Sequence, residues 1–171
     1  MTAAVSAHHL HLSEQDIGEF DTRYHVMPPL RSIADRDALR QGVISGVIDA
    51  VCSDHQPHGI DAKLAPFSES ASGISGLETL LSLVLKLVEE TTLSLPEAIA
   101  RVTAHPARIL GIDVGSLLPG VPADICIFDS ASDWQIDSDE FVSRGHNSPL
   151  SGSTLAGSVE SVLVAGTPVE I

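Results

Sequence analysis

Residues 47–58 narrow the possible folds sharply. Val47-Ile48-Asp49-Ala50-Val51-Cys52 is a short, mostly apolar run, and it opens directly into the polar hexapeptide Ser53-Asp54-His55-Gln56-Pro57-His58. An apolar run of this kind is the pattern of a strand buried on both faces of a parallel sheet. A helix should precede it: Ser32 and Asp35 are spaced as a helix start, Leu39 and Val43 continue an apolar stripe, and Gly46 supplies a stop. Helix, strand and polar loop, in that order, make an α/β protein. In such folds catalytic groups sit at the C-terminal ends of strands, where loops vary freely while the strand fixes the first residue. Asp54 stands at that point. A carboxylate there can bind a metal and take a proton from metal-bound water, and His58 can hydrogen-bond an anionic or carbonyl substrate. The plainer alternative is a loop with an aspartate helix cap and two surface histidines.

The flanks extend the pattern. Residues 1–12 read as a strand end running into a loop, and Ser13 to Asp16 as a further helix start. Pro28-Pro29 forces extended backbone. Ser75 to Glu78 has capping-box spacing, and Leu77, Leu80, Leu81, Val84, Leu85 and Val88 then form one apolar face of a helix. Ser94 to Glu97 is another capping box, with a helix through Ile99 and Val102. Pro106 should open a short helix that Gly111 ends. His105 reads as a helix-entry residue and Cys52 as a small core residue. From Gly115 the character changes: strands are expected at 123–128 and 161–164, with Ala165-Gly166 turning a hairpin, and the acidic run 133–140 reads as a solvated face. The expected division is therefore an α/β unit over 1–114 and a β-rich appendage over 115–171. His9-Leu10-His11 could present two imidazoles to zinc if it were strand, but it reads better as a pair of loop or solvent histidines.

Charge and length exclude several functions. The chain has 171 residues, nine Lys and Arg, 23 Asp and Glu, and a formal charge of −14. Its few basic residues form no sequence patch, so neither nucleic acid nor an anionic membrane is an expected partner. The apolar stretch 80–88 is too short to cross a bilayer, and no signal peptide is evident. Two cysteines suggest no disulfide framework, and a reducing cytoplasm is the expected setting. A complete (β/α)₈ barrel takes about 250 residues, so barrel motifs here would belong to part of one. A partial barrel leaves open strand edges, which pair with other chains, so a homo-oligomer is expected.

The segment Ile48 to His58 resembles the dihydroorotases of the amidohydrolase superfamily, whose pattern is Ile-Asp, a short apolar strand, then Thr-Asp-His-Ala-Pro-His. His8-His9-Leu10, Pro28-Pro29-Leu30-Arg31, Pro66-Phe67, Gly73-Ile74-Ser75-Gly76-Leu77-Glu78 and Gly115 to Ile125 are similar to further family segments in the same order. The resemblance implies the C-terminal part of a TIM (β/α)₈ barrel of the metal-dependent hydrolase type, followed by a small β-sandwich tail. It implies a zinc enzyme of pyrimidine biosynthesis that opens or closes the dihydroorotate ring. Asp54 would be the metal-binding, proton-shuttling aspartate, and His58 and Gly73 would contact substrate.

The sequence also departs from that pattern. The family's H-x-H metal motif ends the first barrel strand, upstream of anything present, so this chain alone is expected to be inactive and to bind no stoichiometric zinc. Met27 occupies the place of a substrate-binding asparagine and cannot make its hydrogen bonds. Ala62, Ala71-Ser72 and Gln56 differ as well. These changes resemble the non-catalytic dihydroorotase-like subunits that partner aspartate carbamoyltransferase. Hydantoinases and allantoinases are a third family reading.

Overall fold

The computed structural model describes residues 1–170. Strand β1 (Ala4–Ser6) pairs in parallel with β2 (Ala50–Cys52), Val5 opposite Val51. Helix α1 (Ile33–Ile44) lies between them in sequence. Its N-terminus is held by a capping box, in which the Ser32 hydroxyl accepts from the Asp35 amide and the Asp35 carboxylate accepts from Ser32. The chain leaves α1 through Gly46, whose φ of 79° suits a residue without Cβ. Regular strand begins only at Ala50. Residues 47 and 48 are bend and 49 is irregular, and the Ile48 amide is spent on Gly42 O, so the expected strand is shorter than its apolar run. Ala50 and Val51 are buried, as a strand covered on both faces requires. Cys52 is exposed rather than a core residue, because the outward side of the last β2 residue has no neighbour covering it.

Helices α2 (Leu80–Glu90), α3 (Leu95–Ala100) and α4 (Ala104–Leu110) follow. The Ser94–Glu97 capping box forms as the spacing predicts, and Gly111 closes α4 in the left-handed region. Pro106 lies inside α4 rather than opening it, and His105 is in its first turn. The capping box expected at Ser75 does not form, and α2 starts at Leu80 with Leu77 exposed. The Ser75 hydroxyl donates instead to Gly145 O, and Glu78 accepts from Ser143. The Ser13 cap is real but begins only a four-residue 3-10 turn, ended by Gly18.

Strands β3 (Ile125–Gln135), β4 (Thr154–Val164) and β5 (Thr167–Val169) form an antiparallel sheet. Ala165 and Gly166 both have positive φ in the β4–β5 turn, as a tight hairpin demands. Helix α2 packs on β4, where the Gly157 backbone lies against Leu81 and Leu85, and the Trp134 indole donates to Ser82 Oγ. One core joins Val5, Leu10, Val43, Val51, Leu83, Leu87, Ile136 and Leu155. The acidic run is therefore only half a solvated face: its carboxylates are exposed, but Ile136 and Ser138 between them are buried.

Candidate active site

Both parallel strands release polar residues at their C-terminal ends. β1 passes into a 3-10 turn carrying His8 and His9, and β2 into Ser53, Asp54 and His55. Parallel pairing brings these ends together. Asp54 adopts φ 46°, an uncommon backbone for a non-glycine residue. Its carboxylate is 32% exposed, and Oδ2 lies 4.0 Å from His8 Nε2. Gln56 Nε2 donates to the other oxygen at 3.2 Å. His8 is almost fully buried. That burial, with His9 beside it, pushes its pKa down to about 4 against the opposing pull of Asp54, so the imidazole is neutral at pH 7.

The histidines form a directed chain. His9 Nε2 donates to Pro28 O at 3.0 Å, which leaves Nδ1 to accept the Ser6 hydroxyl. Ser6 Oγ in turn accepts from His8 Nε2 at 3.2 Å. His11 is absent from this group. Its Nε2 donates to Leu83 O at 2.8 Å, its ring is buried beside Arg40 and Glu90, and burial holds its pKa down at about 4. His9 and His11 thus face different neighbours. The strand that would have aligned them ends at Ser6, and His11 is a framework residue rather than a loop or solvent histidine.

The loop after β2 is fixed from several sides. His55 Nδ1 accepts the Gly76 and Leu77 amides, both at 3.2 Å. Its Nε2 faces Ser143 Oγ, which donates to Glu78. The Ser143 hydrogen bonds hold the Glu78 carboxyl low against the burial that raises it. His58 Nε2 donates to Ser72 O at 2.8 Å, and no hydrogen bond occupies its Nδ1 among the described residues. At Gly73 (φ 128°) a Cβ would lie 2.5 Å from the Gln56 side chain; its amide donates to His25 O.

Asn147, absent from the sequence-based candidates, joins these parts. Its Oδ1 accepts from the His58 amide at 2.7 Å, and its Nδ2 donates to Gln56 O and Gly73 O. Lys63, a residue of the loop that resembles the family's but not among the site candidates, is a second: its buried ammonium donates to the carbonyls of Thr22, His25 and Ala71. Nothing local in sequence marks either, since all their partners are distant in the chain or belong to the backbone. The structure thus groups Asp54 with His8 and Gln56, and links His58 to Gly73 through Asn147.

A carboxylate and the neutral His8 imidazole at the C-terminal ends of parallel strands define an α/β protein with an acid–base cluster at the strand mouths. The amidohydrolase family matches residues 2–169, and the chain belongs to that family. It is 40% identical over 169 residues to a dihydroorotase of Geobacter metallireducens, covering 99% of this chain and 40% of that protein. It is 43% identical over 166 residues to a dihydroorotase-like protein of Pseudomonas putida, covering 97% and 39%. Among solved structures, L-hydantoinase (dihydropyrimidinase) from Arthrobacter aurescens superposes with a TM-score of 0.89 at 29% identity, covering 98% of this chain and 39% of that one. The chain spans about two fifths of the length of the curated relatives it matches.

Proposed function

We propose that this chain is the C-terminal part of a (β/α)₈ barrel hydrolase, with a β-rich appendage over 115–171, and that the whole barrel hydrolyses or forms a cyclic amide, dihydroorotate being the substrate. One observation carries the reading: Asp54, in a strained backbone conformation at the end of β2, meets the neutral His8 at the end of the parallel strand β1. Strained residues of this kind cluster at functional sites.

The chain's own residues divide the work. Asp54 holds and moves the proton at Oδ2, while Gln56 fixes Oδ1. His58, whose Nε2–H is spent on Ser72 O, has Nδ1 left to accept a hydrogen bond from a substrate N–H. Gly73 lets Gln56 pack against its backbone, and its role toward substrate is to hold that loop in place. The family is generally metal-dependent, and zinc is the metal the dihydroorotase reading implies. The donors here do not complete a shell for it. Asp54 and His8 are two groups, His8 Nε2 is already bonded to Ser6, and no three His, Cys, Asp or Glu side chains converge among the described residues. A zinc site takes three or four protein ligands, so no step is assigned through the metal. This reading expects the chain alone to be inactive toward dihydroorotate and to hold zinc well below one ion per chain.

A second reading rests on Met27, which is exposed beside Pro28 and offers no polar group, and on the likeness to the Pseudomonas dihydroorotase-like protein. In it the parent is a non-catalytic subunit partnering aspartate carbamoyltransferase. A chimera in which this chain replaces the matching part of the Geobacter dihydroorotase separates the two. The first reading expects dihydroorotate hydrolysis that Asp54→Asn abolishes. The second expects an inactive chimera that Met27→Asn revives. Turnover by the 171-residue chain alone, or an active Asp54→Asn chimera, defeats the first. Offering hydantoin and allantoin alongside dihydroorotate separates the cyclic-amidase classes.

A further inference from the structure

Positive charge in this acidic chain gathers in one place. A cavity of about 300 Å³ is lined by Arg23, His58, Lys63, Asp139, Arg144 and His146, so three of the nine Lys and Arg residues share its wall with two histidines. Their existing partners decide what charge remains. Arg23 is neutralised by Asp21, which it grips through Nε and Nη2. Asp139 accepts from His146 at 3.3 Å. Lys63 is only 8% exposed, and its ammonium is satisfied by three backbone carbonyls with no carboxylate within ion-pair distance among the described residues. Arg144 is exposed, with neither ion pair nor side-chain hydrogen bond among the described residues. Arg144 therefore brings a free guanidinium fork to the cavity, and Lys63 a second, backbone-held positive charge that Asp21 offsets only in part. A buried cation whose charge is only partly offset attracts an anion where water is partly excluded, and the planar fork of arginine suits carboxylate and phosphate oxygens.

We propose that this cavity binds a small multivalent oxyanion, a dicarboxylate or a phosphate. Arg144 makes the direct contact, and Lys63 supplies a fixed field through its backbone-held ammonium. Asp139 is the one acidic wall and limits the affinity. Asp54 and His8 are not among the walls, but His58 and Asn147 are, so the cavity adjoins the proposed substrate site; the inference needs neither the cyclic-amide chemistry nor a metal.

The test is calorimetric titration of the 171-residue chain with inorganic phosphate and with malonate. Ionic strength is held constant with sodium chloride so that general screening does not change. Saturable one-to-one binding of either anion is expected, and the one that saturates names the ligand class. Arg144→Gln should weaken it about tenfold, as loss of a bidentate charged contact does. Asp139→Asn should tighten it, and Arg108→Gln, an exposed arginine outside this cavity, should leave it unchanged. Arg144 and Asp139 are exposed, so the fold tolerates these substitutions, and the opposite signs guard against a folding artefact. Absence of saturation with both anions, or equal weakening by Arg108→Gln and Arg144→Gln, overturns the proposal.

Discussion

Asn147 is 6% exposed, and its amide makes one acceptor and two donor hydrogen bonds to three backbone groups of the candidate-site loops. Truncating it strands a buried N–H and two carbonyls, each costing about 1–3 kcal/mol when left unmade. Asn147→Ala should therefore lower stability by at least about 2 kcal/mol in urea denaturation. Asn147→Asp, nearly identical in shape, should be no better, because a carboxylate oxygen would then face the Gln56 and Gly73 carbonyls. A near-neutral Asn147→Asp would show that the clip is dispensable. His8 and His11 make a second prediction at the level of single side chains. Both are neutral in the fold, with pKa held at about 4, whereas an imidazole in the unfolded chain titrates near 6.5. Between those values the unfolded state takes up protons that the folded state does not, so stability is fully present above about pH 6.5 and is lost as pH falls toward about 4. From pH 7 to pH 5 each histidine should remove about 2 kcal/mol. His11→Gln, which removes one of the two, should roughly halve the loss in paired urea titrations. An unchanged pH slope would reassign the acid sensitivity elsewhere.

Between elements, close backbone approach decides what the loop after β2 tolerates. A Cβ on Gly145 would lie 2.3 Å from the His58 amide nitrogen and 2.6 Å from the Pro57 carbonyl carbon. Both are backbone atoms, so the loop itself must move. Gly145→Ala should cost about 1–3 kcal/mol, as overpacking does, and should shift the His58 amide resonance. Gly59→Ala, with no atom within 4 Å and an ordinary negative φ, should be close to neutral. Equal effects at the two glycines would contradict this account. The same contacts explain what was legible in the sequence. The caps at Ser32 and Ser94, the stop at Gly46 and the hairpin at Ala165-Gly166 depend on neighbours within a few residues, and they form where the spacing predicts. Ser75 and Glu78 carry the same local signature, yet Gly145 and Ser143, 70 and 65 positions away, claim their side chains. Periodicity cannot register that competition. The place of Asp54 just past a strand end was legible because the apolar run marks that strand, and the place of Asn147 was not, because its partners are all distant backbone.

For the whole molecule, the parallel pair is covered on its faces but carries no flanking strand among the described residues. Parallel strands are normally flanked on both edges. Large apolar side chains stand exposed as well, Val47, Ile60, Leu77 and Val142 among them. Unpaired strand edges and apolar patches favour self-association. The formal charge of −14 opposes it by repulsion between copies. These forces respond oppositely to salt. Repulsion between exposed charges fades as the Debye length shrinks from about 30 Å at 0.01 M to about 10 Å at 0.1 M, while edge pairing and apolar burial do not weaken. Self-association of this chain should therefore grow with added sodium chloride, read as a rising mass in light scattering at fixed protein concentration. A mass that falls with salt would place the contact in ion pairs instead. A monomer at every salt and at high concentration would mean that the pair protects its own edges, and the expectation of a homo-oligomer would be lost.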